Sequence, residues 1–133
     1  MIEVGMQASR TRQITEHEVR LFAEASGDHN PLHMDEAYAA STAFGRRIVH
    51  GMLVAGLISA VLANDLPGPG AVYVSQTLRF KAPVFLGDTV TAMVEVLKVR
   101  RRMVTLQTTC TNQEGLVVLE GEAVVMLPAQ HEL

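Results

Sequence analysis

The sequence predicts an α+β fold in which an antiparallel sheet curves round one apolar helix. Three observations carry this. Residues 52–63 are apolar on every face, and such a helix is normally buried. Pro67-Gly68-Pro69-Gly70 stops it. Everything beyond reads as about four strands joined by short connections, which imply antiparallel neighbours. A sheet with one apolar face must cover that face, and 52–63 is the available cover.

The elements follow in order. Residues 1–12 are mixed, with room for one strand. Thr15 with Glu18 three residues on forms a T-x-x-E capping box, and Val19, Phe22 and Ala23 continue at helical spacing. Gly27 suits the residue after the helix end. Pro31 disfavours helix at Asn30, so 28–33 reads as a polar turn. Asp35 can cap a short helix through Tyr38 and Ala39, with Phe44-Gly45 ending it. After Gly70, Val72, Val74, Leu78 and Phe80 alternate with polar residues at period 2. Pro83 interrupts and Gly87-Asp88 turns. Val90, Ala92, Val94 and Val96 alternate again, 103–111 is rich in β-branched residues, Glu114-Gly115 is a hairpin turn, and 116–127 is the last strand.

Composition narrows the function. The chain has 133 residues, 48% hydrophobic and 19% charged, which suits one globular domain. A net charge of −3 argues against non-specific nucleic-acid binding. The one cysteine, Cys110, lies in an alternating run; alone it makes no internal disulfide or Cys-rich metal site and reads as a strand position. The opening residues show no signal peptide. The apolar run 52–63 is too short for a bilayer, which takes roughly 20 residues. A cytoplasmic protein without a membrane partner is expected.

The chemistry concentrates in Ser26-Gly27-Asp28-His29-Asn30-Pro31-Leu32-His33. A carboxylate and an imidazole stand in one turn. Histidine exchanges protons near neutrality, and a partly desolvated aspartate can orient or deprotonate water. The same residue types also serve as turn caps. His29 and His33 stand four apart, but Pro31 between them disfavours the shared helix that an H-x-x-x-H ligand pair uses, and Asp35 and His50 add no ligand spacing, so no metal is expected. His50 reads as structural. Gly51 opens the apolar helix, where unpaired N–H groups and the helix dipole can hold a developing oxyanion. Ser59 is a lone hydroxyl in that helix; it either bonds its own backbone or supports a carboxylate.

The stretch 22–62, with Ser-Gly-Asp-His-Asn-Pro-Leu-His followed by Ile-Val-His-Gly-Met-Leu, resembles the hydratase-2 motif of the MaoC-like family. Phe-Lys-Ala-Pro-Val-Phe-Leu-Gly-Asp at 80–88 fits the same family. The similarity covers nearly the whole chain and is nearest to the short (R)-specific enoyl-CoA hydratases of bacterial polyhydroxyalkanoate synthesis. It implies one hot-dog domain over 1–133, a homodimer with the site near its interface, and hydration of trans-2-enoyl-CoA to (R)-3-hydroxyacyl-CoA. It implies that Asp28 and His33 activate one water for syn addition and that the Gly51 N–H binds the thioester carbonyl. It further implies that Ser59 bonds near Asp28, that Asn30 shapes the site and that Leu62 lines the acyl pocket. His29 fills the motif's variable place. No cofactor is expected; coenzyme A is a substrate carrier, and Arg46, Arg47 and Arg100–Arg102 are the candidates for its phosphates. The alternatives are a dehydratase of acyl-carrier-protein or branched acyl-CoA thioesters, a hot-dog acyl-CoA thioesterase, and a non-catalytic binding module.

Overall fold

A computed structural model describes residues 1–129; positions 130–133 of the expected single domain lie outside the described residues. The capping box forms: Glu18 Oε1 accepts from the Thr15 N–H at 2.7 Å, after strand β1 (Gln7–Gln13), and opens helix α1 (Glu16–Ser26). Gly27 closes α1 with φ of 82°, its N–H reaching the Ala23 carbonyl, the left-handed conformation that glycine adopts freely.

The polar turn differs from expectation. Pro31 begins a short helix, α2 (Pro31–Met34), because its missing N–H costs nothing at a first helical position. Asp35 caps α3 (Glu36–Ala40), accepting from the Tyr38 N–H at 3.0 Å. That helix ends at Ala40, and turns rather than helix lead on to Gly45.

The apolar run forms α4 (Gly51–Asn64). The strands are β2 (Val72–Gln76), β3 (Arg79–Phe80), β4 (Thr89–Arg100), β5 (Met103–Thr111) and β6 (Val117–Met126). They form one antiparallel sheet in the order β1-β4-β5-β6-β2, with β3 also on β6. Leu53, Val54, Ile58, Val61 and Leu62 of α4 pack onto the inward rows Val90–Ala92–Val94–Val96 and Val104–Leu106–Cys110. Cys110 is therefore a core strand residue, and burial pushes its thiol up to about 12.

Two expectations need correction. The run 72–80 is not one inward-alternating strand. It breaks at Thr77-Leu78, and Val72, Val74 and Phe80 lie exposed. A bulge between Tyr73 and Ser75 shifts the register against β6. The break passes over Gly121, where an added Cβ would lie 1.8 Å from the Thr77 carbonyl oxygen. Nor does this chain bury α4 all round: Met52 is 56% exposed, and Gly56 and Ala63 are also open. No helix among the described residues is long and apolar enough to cross a membrane.

Candidate active site

The segment between α1 and α2 folds through a relay of short-range bonds. The Ser26 hydroxyl donates to the Phe22 carbonyl and accepts the Asp28 N–H at 3.1 Å. Asp28 Oδ1 accepts the Asn30 N–H at 3.2 Å, and Asn30 Oδ1 accepts the Leu32 N–H at 3.0 Å. Each is an aspartate or asparagine turning its own backbone two residues on. Asn30 thus shapes the turn as the N-cap of α2.

The connector before α4 then fastens this turn. The His33 Nδ1–H donates to the Ile48 carbonyl at 2.8 Å. A carbonyl only accepts, so Nδ1 carries the proton and a neutral His33 presents a bare Nε2. Arg47 Nε donates to the His33 carbonyl at 2.6 Å while its other nitrogens grip the Glu16 carboxylate. That pairing holds the Glu16 carboxyl below its ordinary value, with the Arg47 bond as the largest cause. Arg47 is therefore not a free phosphate ligand; its side chain is 11% exposed. Arg102 is similarly tied to the Leu127 carbonyl, and Arg46 lies 3.8 Å over the Phe85 ring. Arg46, Arg100 and Arg101 stay exposed.

His50 joins the site. Its Nε2–H donates to the Asp28 backbone carbonyl at 3.0 Å, and its ring lies 4.1 Å from that of His33 and 4.8 Å from that of Phe22. Burial, as the first cause, and the neighbouring His33 lower its pKa. Beyond its place next to Gly51, nothing in the chain marks His50 for this site.

Asp28, His33, His50 and Gly51 line one cavity of about 550 Å³, whose remaining wall is apolar except for Lys81 and includes Phe44, Met52, Phe80, Val84 and Val118. Gly51 is the first residue of α4, so its N–H has no partner within the helix. An added Cβ there would meet the Phe80 ring at 2.6 Å. Ser59 is not in this cavity; it lines a separate groove with Met52, Ala55, Gly56 and residues 73–76. Leu62 is buried in the core and lines neither. His29 is exposed beside the turn.

Ligand-type atoms of Asp28, His33 and His50 all lie within 4.8 Å of one another. Spacing rules overlooked this trio because folding, not a helical repeat, joins positions 28, 33 and 50. The fit to a metal is poor. Ligands of a zinc ion sit roughly 3.4 Å apart. Imidazole lone pairs lie in the ring plane, and the two rings here lie with centroids 4.1 Å apart and planes tilted by 35°.

A helix N-terminus, a carboxylate and a bare imidazole nitrogen thus surround one largely apolar cavity. The sequence matches the MaoC like domain over residues 1–116. The chain belongs to the MaoC-like family. It is 56% identical over 131 residues to an (R)-specific enoyl-CoA hydratase of Rhodospirillum rubrum, covering 97% of this chain and 90% of that one. It is 50% identical over 133 residues to a 3-hydroxybutyryl-CoA dehydratase of Methylorubrum extorquens, covering 98% and 84%. The solved structure of an (R)-hydratase from A. caviae involved in PHA biosynthesis superposes with a TM-score of 0.93 at 50% identity, covering 96% of this chain and 98% of that one. The MaoC-like chain described here therefore has the hot-dog fold, with α4 as the helix inside the sheet.

Proposed function

We propose that the protein is an (R)-specific enoyl-CoA hydratase, adding water reversibly to trans-2-enoyl-CoA to give (R)-3-hydroxyacyl-CoA. The observation that carries this is the convergence of Asp28, His33 and the Gly51 helix end on one apolar-walled cavity in a MaoC-like chain.

The thioester carbonyl docks on the Gly51 N–H, and the acyl chain lies along the apolar wall. Asp28 accepts one hydrogen of a water and holds it over C3. The bare Nε2 of His33 takes the water's other proton as oxygen attacks C3. Electrons move onto the carbonyl oxygen, where the N-terminus of α4 stabilises the enolate. The His33 imidazolium returns its proton to C2 from the same face, which is syn addition. The carbonyl itself activates the alkene, so the reaction calls for no metal or redox cofactor. Coenzyme A serves as the carrier, with exposed Arg46, Arg100 and Arg101 as the remaining candidates for its phosphates.

The wider setting is part of the same proposal: a cytoplasmic enzyme whose product feeds polyhydroxyalkanoate synthesis. A second copy of the chain covers the open face of α4 and β2, where Met52, Val72 and Val74 are exposed. Met52 borders both this groove and the site cavity, so such a copy lies against the site. Ser59 would act on that face rather than on the carboxylate of its own chain, and light scattering should give twice the chain mass.

The test follows loss of the enoyl-thioester ultraviolet absorbance with crotonyl-CoA and a longer 2-enoyl-CoA, with chiral analysis of the product. Wild type yields the (R)-alcohol. Asp28→Asn loses about 10²–10⁴-fold in kcat with unchanged Tm. A wild type inactive on every chain length, or an equally active Asp28→Asn, overturns the reading.

A further inference from the structure

We propose that His50 is a positioning residue that holds Asp28, His33 and the Gly51 end of α4 in mutual register. The inference rests on the hydratase reading above.

His50 is 1% exposed. A side chain that only filled this slot would be better apolar, because burying a polar ring leaves its nitrogens to be satisfied. One nitrogen is not: Nδ1 is buried without a hydrogen-bond partner. The other makes one directed bond, Nε2–H to the Asp28 carbonyl at 3.0 Å. The chain therefore tolerates an orphaned acceptor in order to keep that single donor on the backbone of Asp28.

The placement explains why. Residues 27–30 have no regular secondary structure, and apart from this bond Asp28 is anchored by the Ser26 hydroxyl at 3.1 Å and by its own Asx turn. The His50 bond ties it to the far side of the site. The same ring supports the face of His33 at 4.1 Å while Ile48 holds its edge. His50 is also the N-cap residue of α4, covalently joined to Gly51. One imidazole thus touches or adjoins all three working groups without needing contact with substrate.

A neutral His50 suits this role. The titratable groups facing it are Asp28, His33 and His29, with the Phe22 ring on the remaining side. A protonated ring there would repel the His33 imidazolium that forms during turnover.

Two substitutions separate positioning from packing. His50→Leu keeps an apolar body and removes the donor; His50→Gln places an amide N–H near the position of Nε2. The expected result is a kcat loss of about 10–100-fold in His50→Leu, the scale of a misplacement near 1 Å, with KM within about threefold and Tm no lower than wild type, and recovery of most of the kcat in His50→Gln. Equal kcat in His50→Leu and wild type overturns the inference, as does a kcat that Gln does not restore. Should His50→Leu fail to fold, His50→Asn replaces it, since its shorter amide falls near Nδ1 and does not reach the Asp28 carbonyl; equal kcat in the Asn and Gln variants is then the overturning result. Wild type is assayed first. Its inactivity on 2-enoyl-CoA overturns the hydratase reading and takes this inference with it, whereas an active wild type matched by His50→Leu removes this inference alone.

Discussion

The turn that carries Asp28 and His33 and the sheet that carries the core are held by different forces. In the sheet, β4 and β5 bury Val90, Val94, Val104 and Leu106 against α4. The turn buries little of itself: residues 24–31 are exposed throughout. Its geometry comes from directed bonds, made locally by Ser26, Asp28 and Asn30 and at longer range by Arg47, Ile48 and His50. Apolar packing is nearly indifferent to direction, whereas a hydrogen bond weakens steeply off axis. The molecule takes its stability from the first and the placement of its reactive groups from the second. Lesions in the two regions should therefore separate stability from turnover.

The largest expected effect on the stability side is Leu106→Ala. Leu106 is fully buried, and truncating such a leucine costs about 2–5 kcal/mol. Chemical denaturation should show that loss, while kcat per folded molecule stays at the wild-type value. A kcat that falls in step with stability would break the comparison, because it would mean that the sheet also sets the site geometry.

Gly51 lies where the two regions meet, and a pair of substitutions shows which force it obeys. Glycine at the start of α4 serves either the Phe80 ring, which an added Cβ would meet at 2.6 Å, or the close approach of a substrate oxygen. Phe80 is 54% exposed. If the substrate is the reason, Gly51→Ala loses roughly 10–100-fold in kcat/KM and Phe80→Ala does not restore it. Full recovery in the double variant would assign the glycine to packing and remove it from the oxyanion role.

How much of this was legible beforehand follows the same division. The core was readable because the sheet rows repeat at period 2 and α4 is apolar: Val90, Ala92, Val94 and Val96 point inward as their alternation implies. The exceptions are Val72, Val74 and Met52, which carry the apolar signal of a core but lie exposed on α4 and β2. At the site, Asp28, His33 and Gly51 share a motif and share a cavity. Arg47 and Glu16 lie 31 positions apart and meet only in the fold, so Arg47 looked like a free cation. His50 reads only as structural for another reason: its directed bond runs from one ring nitrogen to a backbone carbonyl, and a contact of that kind leaves no pattern in the chain.

The smallest expected effect lies at the start of α1, where a directed bond does contribute to stability. The Thr15 hydroxyl and N–H both donate to the Glu18 carboxylate. The hydroxyl, as the first cause, and the backbone N–H hold that carboxyl at about 2, well below its ordinary 4.5. A carboxyl whose pKa is depressed in the fold stabilises the fold only when ionised. The contribution is thus complete above pH 4.5 and fades as the pH falls toward 2. Thr15→Ala removes the hydroxyl's share and should cost about 1 kcal/mol at neutral pH, with hydratase activity unchanged because the cap touches no working group. Melting wild type and Thr15→Ala side by side down the acid range checks the sign. The gap in Tm should narrow from pH 4.5 downward. A gap that stays constant would show that the hydroxyl acts on the helix backbone and not on the charge of Glu18, and the acid sensitivity of α1 would then have to come from the Glu16–Arg47 pair, which also anchors the His33 carbonyl.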